Sequence, residues 1–147
     1  MIPIYKGGSV LKSGQKYSYK REAILQCIRQ TNAHPSADWI YNQLKEQIPD
    51  LSLGTVYRNL AQFKASGQIV SLGVVGGIER FDGRVDPHVH FCCDGCGAIL
   101  DLSAFDVPTE LCRRAAEALE AEVSQCTLTF TGLCRKCTSE HKNFVQN

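Results

Sequence analysis

The sequence predicts an α+β fold in two parts, an N-terminal winged helix-turn-helix domain and a C-terminal α/β domain with a structural zinc site. Three observations support this prediction. Three helix-period stripes precede a Gly-Gly hairpin in the first half, two CxxC pairs occur in the second half, and the net charge changes sign between the halves. A chain of 147 residues is long enough for two small domains.

Three helices are predicted in the first half. The first runs from Ser18 to Gln30, where apolar residues recur at helical spacing. Pro35 and Ser36 begin the second helix, and Ser52 is a suitable N-cap for the third, which ends at Gly67.

A β-hairpin follows the helices. The β-type runs 69–75 and 78–81 flank Gly76 and Gly77, which is typical of a hairpin turn. Three helices followed by a hairpin is the order of a winged helix, and the polar stretch after it resembles a hinge. The predicted ranges are 1–83 for the winged-helix domain, 84–87 for the hinge and 88–147 for the second domain.

The second half alternates between β-type and helical patterns. Strands are predicted over 89–91, 98–102 and 123–133, and the tail from Thr138 is either a short helix or disordered. A helix is predicted over 108–122 with four inward residues, Leu111, Ala115, Ala118 and Leu119.

The two CxxC pairs predict a structural zinc site made by Cys93, Cys96, Cys134 and Cys137. The short loop inside each pair lets both thiolates reach one ion at about 2.3 Å, and four sulfurs leave no open position. Strand alternation favours Cys93 over Cys92 as the ligand, because neighbours in a strand face opposite sides. Two unrelated reduced pairs, or disulfides, are the alternatives.

Four cysteines exceed this set. Cys27 and Cys112 fall in helical stripes and are predicted to lie in the core. Cys92 and Cys126 are either buried or part of an accessory metal or redox site.

The distribution of charge points to a polyanionic partner for the first half. Residues 1–70 contain nine Lys and Arg against four Asp and Glu, whereas residues 71–147 contain seven against eleven. A recognition helix reads bases with its N-terminal residues, and Arg and Asn can make bidentate contacts to guanine and adenine. The predicted contacts to double-stranded DNA are Thr55, Tyr57, Arg58 and Asn59, with Val56 and Leu60 pointing inward and Lys12, Lys16, Lys20 and Arg21 near phosphates. A solvated helical face is the alternative.

A second group of potential metal ligands surrounds His88-Val89-His90. Residues two apart in a strand share a face, so both imidazoles project to one side. Asp82 precedes this segment and Asp101 follows it. Nitrogen and carboxylate ligands suit iron, manganese or zinc.

No signal peptide and no apolar run of membrane-spanning length is visible in the sequence. We therefore expect a cytoplasmic protein with no membrane partner.

Several of these motifs together resemble the ferric uptake regulator (Fur) superfamily, most closely its peroxide-sensing PerR branch. The resemblance extends from about Ser13 to His141. It rests on the segments 33–38, 53–60, 80–82 and 88–90 and on both CxxC pairs.

The resemblance implies a homodimeric, metal-dependent repressor that binds operator DNA, with the second domain serving dimerisation and the four cysteines holding zinc. It assigns a regulatory iron or manganese ion to His34, Asp82, His88, His90 and Asp101, and it implies oxidation of His34 and His88 by peroxide at bound iron. Aspartate at positions 82 and 101, where iron sensors tend to carry glutamate, is the PerR-like pattern. His141 is an alternative zinc ligand.

Three other functions compete with this interpretation. A Fur-type sensor of iron, manganese or zinc without peroxide sensing is the nearest. A metal-dependent hydrolase would need an open site and a general base, and the sequence contains no HExxH motif. A zinc-stabilised interaction module without a DNA role is the third. We expect no enzymatic activity.

Overall fold

The computed structural model describes residues 13–104, 107, 109–124 and 126–144, and within those ranges it describes side chains from residue 19 to residue 139. The chain divides into two compact units between Val85 and Asp86. This boundary falls within the range 84–87, whose action as a hinge stays a prediction. Among the described residues, no helix combines the length and apolarity that a membrane span requires.

Three helices build the first unit: α1 (Ser13–Arg29), α2 (Ala37–Leu44) and α3 (Leu53–Ala65). The predicted N-cap Ser52 is confirmed, and Ser36, predicted with Pro35 as the start of α2, is the N-cap of that helix. The hydroxyl of Ser36 accepts from the Trp39 amide, and that of Ser52 accepts from the Thr55 amide, each at 3.2 Å. Gly67 has a φ of +67°, the left-handed conformation that ends many helices.

The apolar stripes of these helices meet in one core. Ile24 and Ile28 of α1, Ile40 of α2 and Val56 and Phe63 of α3 are all completely buried. The helical spacing of these residues places them on one face of each helix, so the core confirms the periodicity on which the three helices were predicted.

The predicted hairpin is present as β1 (Val70–Val75) and β2 (Ile78–Asp82), which pair antiparallel. Gly76 and Gly77 both have positive φ, as the tight turn between right-twisted strands requires. At the far end of β2, the Phe81 side chain is 1% exposed and its amide donates to the Pro35 carbonyl at 3.0 Å. This bond ties β2 to the loop that precedes α2.

A three-stranded sheet organises the second unit. Its strands are β3 (Val89–Cys93), β4 (Ile99–Leu102) and β5 (Thr129–Gly132), in the order β4-β3-β5. The central strand β3 pairs antiparallel with β4 and parallel with β5. Two helices complete the unit, α4 (Thr109–Leu119) between β4 and β5, and α5 (Arg135–Phe144) after β5.

The prediction that four residues of α4 point inward is wrong for the described part of this chain. No described residue of α4 is buried; Leu111 is 46% exposed and Leu119 is 70% exposed. Ala115 is half-buried and Ala118 is exposed. The apolar stripe was assigned correctly to a helix, but none of the residues that the structure describes covers it.

Candidate metal centres and nucleic-acid interface

Four thiols gather in the second unit at the positions predicted for zinc. The sulfurs of Cys93, Cys96, Cys134 and Cys137 all lie within 4.8 Å of one another, and those of Cys96 and Cys134 are 3.9 Å apart. A tetrahedral site with zinc–sulfur bonds of about 2.3 Å separates its sulfurs by about 3.8 Å. The cluster therefore fits a structural zinc ion.

The sheet brings the two CxxC pairs together. Cys93 ends β3 in register with Gly132 of the parallel strand β5, two residues before Cys134. The Cys134 amide then donates to the Cys93 sulfur at 3.2 Å. A Cβ atom at Gly95 would lie 2.9 Å from the Cys137 sulfur, so the loop of the first CxxC pair needs glycine at this position.

The four thiols differ in acidity. Backbone amides, first that of Cys134 and then that of Cys96, lower the pKa of Cys93 to about 6. A hydrogen bond with Cys134, followed by burial, raises the pKa of Cys137 to about 12. Metal binding would therefore displace a proton more readily from Cys93 than from Cys137.

The remaining cysteines lie outside this cluster. Cys27 is 3% exposed in the core of the first unit, as predicted, and burial raises its pKa to about 11. Cys112 is only half-buried; burial and a hydrogen bond with Cys126 raise its pKa. Cys92 is half-buried on β3. The side chain of His141 lies outside the described residues.

Two histidines and an aspartate form a second group of donors in the same unit. His90 on β3 lies opposite Asp101 on β4, and Nε2 of His88 and of His90 are both 3.4 Å from Oδ1 of Asp101. His88 Nδ1 lies 2.8 Å from the Asp86 carbonyl, which can only accept a hydrogen bond. A neutral His88 therefore has its proton on Nδ1 and its lone pair on Nε2, the atom that faces Asp101.

The first unit contains a matching pair of donors. His34 Nε2 is 3.7 Å from Asp82 Oδ2, and the two residues are 2% and 6% exposed. The other oxygen of Asp82 accepts from the Arg84 amide at 2.8 Å, which orients the carboxylate. Buried imidazole and carboxylate groups of this kind fit ferrous iron or manganese.

Two of the predicted DNA contacts on α3 are well exposed. Tyr57 is 50% exposed, Arg58 is exposed and Thr55 is half-buried. Val56 and Leu60 point inward as predicted.

Asn59 does not fit its predicted role as a base contact. It is 1% exposed, and its amide donates to the Thr55 carbonyl at 2.8 Å. Asn59 lies three residues after Val56 and four before Phe63, so helical spacing alone places it on the buried face. This spacing was visible in the sequence, but the polarity of the Asn59 side chain led to the prediction of an exposed position.

The basic residues of α1 are only partly available for phosphates. Lys20 binds Asp50 through its carboxylate at 2.9 Å and its carbonyl at 2.8 Å. Arg21 donates to Gln62 and Gln68 and lies over the Phe63 ring. These contacts stabilise the first unit, and the phosphate role of the two side chains stays a prediction. Lys12 and the side chain of Lys16 lie outside the described residues.

A winged helix joined to a unit with two kinds of metal-ligand group defines a metal-binding winged-helix regulator. Residues 12–131 match the model of the ferric uptake regulator family. The chain belongs to the ferric uptake regulator family and is a metal-responsive regulator.

The curated relatives of this chain include peroxide regulators. The peroxide operon regulator of Bacillus subtilis is 34% identical over 134 residues, which cover 90% of each chain. The peroxide-responsive repressor PerR of Staphylococcus aureus is 32% identical over 131 residues, covering 88% of this chain and 86% of the relative.

Solved structures agree with this family. The peroxide stress regulator of Campylobacter jejuni has a TM-score of 0.73 at 28% identity, covering 83% of this chain and 91% of that chain. The ferric uptake regulator of Vibrio cholerae has a TM-score of 0.64 at 28% identity, covering 78% and 88%.

Proposed function

We propose that this chain is a transcriptional repressor that binds DNA when metal is bound and senses hydrogen peroxide by iron-catalysed oxidation of His34 and His88. The observation that carries the proposal is the pair of buried donor groups, His34 with Asp82 and His88 with His90 and Asp101. Both carboxylates are aspartates, and the relatives at 31–34% identity are named as peroxide regulators.

One ion is proposed to take ligands from both units, across the residues 84–87 that join them. His34 and Asp82 belong to the unit that carries α3, whereas His88, His90 and Asp101 belong to the other. Shared coordination would fix the orientation of α3 relative to the second unit. Metal would then favour the DNA-binding conformer by as much as its affinity differs between conformers.

Cys93, Cys96, Cys134 and Cys137 are proposed to hold a zinc ion that stabilises the second unit. The thiol spacing supports this role, and so does the lowered pKa of Cys93.

A homodimer is proposed as the DNA-binding form. Among the described residues, five large apolar side chains of the second unit are exposed, and we take them to support a protein partner for that unit. They are Leu100, Leu111, Leu119, Phe130 and Leu133. A dimer presents two recognition helices to half-sites about 34–36 Å apart. We propose a cytoplasmic location, where a repressor would meet its operator DNA.

The peroxide response depends on which imidazoles lie at the iron. Ferrous iron held by these residues would activate hydrogen peroxide, which is the oxidant, beside the imidazoles. The imidazole of His34 or His88 would take one oxygen atom from peroxide, and the other oxygen would leave as water. The oxidised side chain would no longer serve as a metal ligand. Its loss would release the orientation of α3 and relieve repression.

Peroxide treatment tests this mechanism directly. Iron-loaded protein exposed to hydrogen peroxide is expected to gain 16 Da on His34 and His88, located by fragment-ion mass spectrometry, and to lose operator affinity. Protein loaded with manganese should remain unmodified, and His141 serves as an internal control because it is not a proposed regulatory ligand. An iron-loaded protein that keeps both histidines unmodified would leave a Fur-type metal sensor without peroxide sensing.

The exposed end of α3 predicts the effect of removing Arg58. Arg58→Ala should weaken operator binding by about 5-fold to 150-fold, because a bidentate contact to guanine contributes about 1–3 kcal/mol of discrimination. Arg58→Lys retains the positive charge but loses the planar guanidinium that can donate two parallel hydrogen bonds. It should therefore keep non-specific DNA binding and lose the preference for the operator. Titrations of operator and random duplexes at fixed salt measure both; unchanged operator affinity in Arg58→Ala would mean that this face does not read DNA.

A further inference from the structure

Arg80 holds the backbone of the loop that carries His34. Its Nε donates to the His34 carbonyl at 2.5 Å, and its Nη2 donates to the Ala33 carbonyl at 2.7 Å. The next residue, Phe81, donates its amide to the Pro35 carbonyl at 3.0 Å. Three consecutive carbonyls of the loop are therefore fixed by two consecutive residues of β2.

His34 needs such support because its backbone is strained. Its φ is +48°, in the left-handed region that residues other than glycine rarely occupy, and the side chain is 2% exposed. Strained conformations persist where the surroundings determine them more than once. The guanidinium of Arg80 contributes two of the bonds that do so here.

The same strand supplies the partner of the His34 imidazole. Arg80 and Asp82 are two residues apart on β2 and share a face of the strand, whereas Phe81 points into the core at 1% exposed. Arg80 thus binds the main chain of His34 while Asp82 Oδ2 lies 3.7 Å from its Nε2. One short segment of β2 sets both the position of the imidazole and the carboxylate beside it.

We infer that Arg80 is a positioning residue for the regulatory metal site, which acts by presetting the His34 imidazole as a ligand. This inference rests on the proposed function. A planar fork can hold two neighbouring carbonyls at once, and the single ammonium of lysine cannot reproduce that geometry. Removal of a group that orients a metal ligand typically lowers metal affinity by about 10-fold to 100-fold.

The test is a titration of the full-length, zinc-containing protein with Mn²⁺ alone. Arg80→Met is expected to weaken Mn²⁺ binding by about 10-fold to 100-fold, and Arg80→Lys by an intermediate factor. Lys45→Met, which removes an exposed cation of the same unit, should bind Mn²⁺ as the wild type does. If Arg80→Met does not fold, Arg80→Lys carries the test, because it retains the charge and removes the fork.

The same substitution made in the His34→Ala protein distinguishes a role of Arg80 in positioning His34 from a general role in stability. In His34→Ala, adding Arg80→Met should cause no further loss of Mn²⁺ affinity, because Arg80 acts through the missing imidazole. A loss of equal size in both backgrounds, or wild-type affinity in Arg80→Met, would overturn the inference.

The same titrations distinguish this inference from the proposed function. If His34→Ala weakens Mn²⁺ binding and Arg80→Met does not, the role of Arg80 alone is wrong. If His34→Ala leaves Mn²⁺ binding unchanged, His34 is no ligand and both proposals are wrong.

Discussion

Cys134→Ser is expected to remove the bound zinc and to unfold the second unit at temperatures where the wild type is folded. Zinc binding contributes on the order of 10 kcal/mol to folding in small zinc domains, and three thiolates cannot close a tetrahedral sulfur site. The effect should be large here, because the cluster joins the end of β3 to the residues after β5. Elemental analysis gives the zinc content, and thermal unfolding followed by circular dichroism gives the stability.

Cys92→Ser is the matched control for this experiment. Cys92 neighbours the ligand Cys93, yet it is half-buried and lies outside the four-thiol cluster. This variant should keep one zinc ion per chain and the wild-type melting temperature. Full zinc content in Cys134→Ser, or equal zinc loss in both variants, would contradict the assignment of the four ligands.

Asp101→Ala is expected to abolish the stimulation of operator binding by manganese. Its Oδ1 lies 3.4 Å from Nε2 of both His88 and His90, so the change removes the carboxylate on which the two imidazoles converge. The Mn²⁺ affinity should fall by more than the roughly 10-fold to 100-fold that follows from loss of a ligand-orienting group, because this change removes a ligand itself. Titration of labelled operator with protein, with and without Mn²⁺, measures the stimulation.

Glu122→Ala provides the comparison for this loss of charge. Glu122 is exposed in the same unit and belongs to neither group of potential ligands. Its variant should respond to Mn²⁺ as the wild type does. Asp101→Ala that keeps its zinc and still responds to Mn²⁺ would remove Asp101 from the regulatory site.

The sequence was most informative where a structure depends on local spacing. Ser52 could be predicted as an N-cap, and Pro35-Ser36 as the start of a helix, because capping involves residues three positions apart. Strand alternation correctly distinguished Cys93 from Cys92, since Cys93 is 2% exposed and joins the cluster. The same alternation predicted that His88 and His90 share a face, and both lie at Asp101.

Tertiary and quaternary contacts were harder to predict. The periodicity of α4 identified a helix, but it could not show that Leu111 and Leu119 remain exposed in one subunit. The polarity of Asn59 suggested an outer face, although its spacing from Val56 placed it inside. The hydrogen bonds of Arg80 to residues 33 and 34 link positions 46 and 47 residues apart, and no local pattern predicts them.

The central claim is that one ion is shared by the two units, and manganese titration of paired ligand variants tests it most directly. The wild type should bind one Mn²⁺ per chain in addition to zinc. His34→Ala, in the first unit, and His90→Ala, in the second, should each weaken the binding of that same ion. The double variant should lose less Mn²⁺-binding free energy than the sum of the losses in the two single variants. Two Mn²⁺ ions per chain that the two substitutions remove independently would contradict the account.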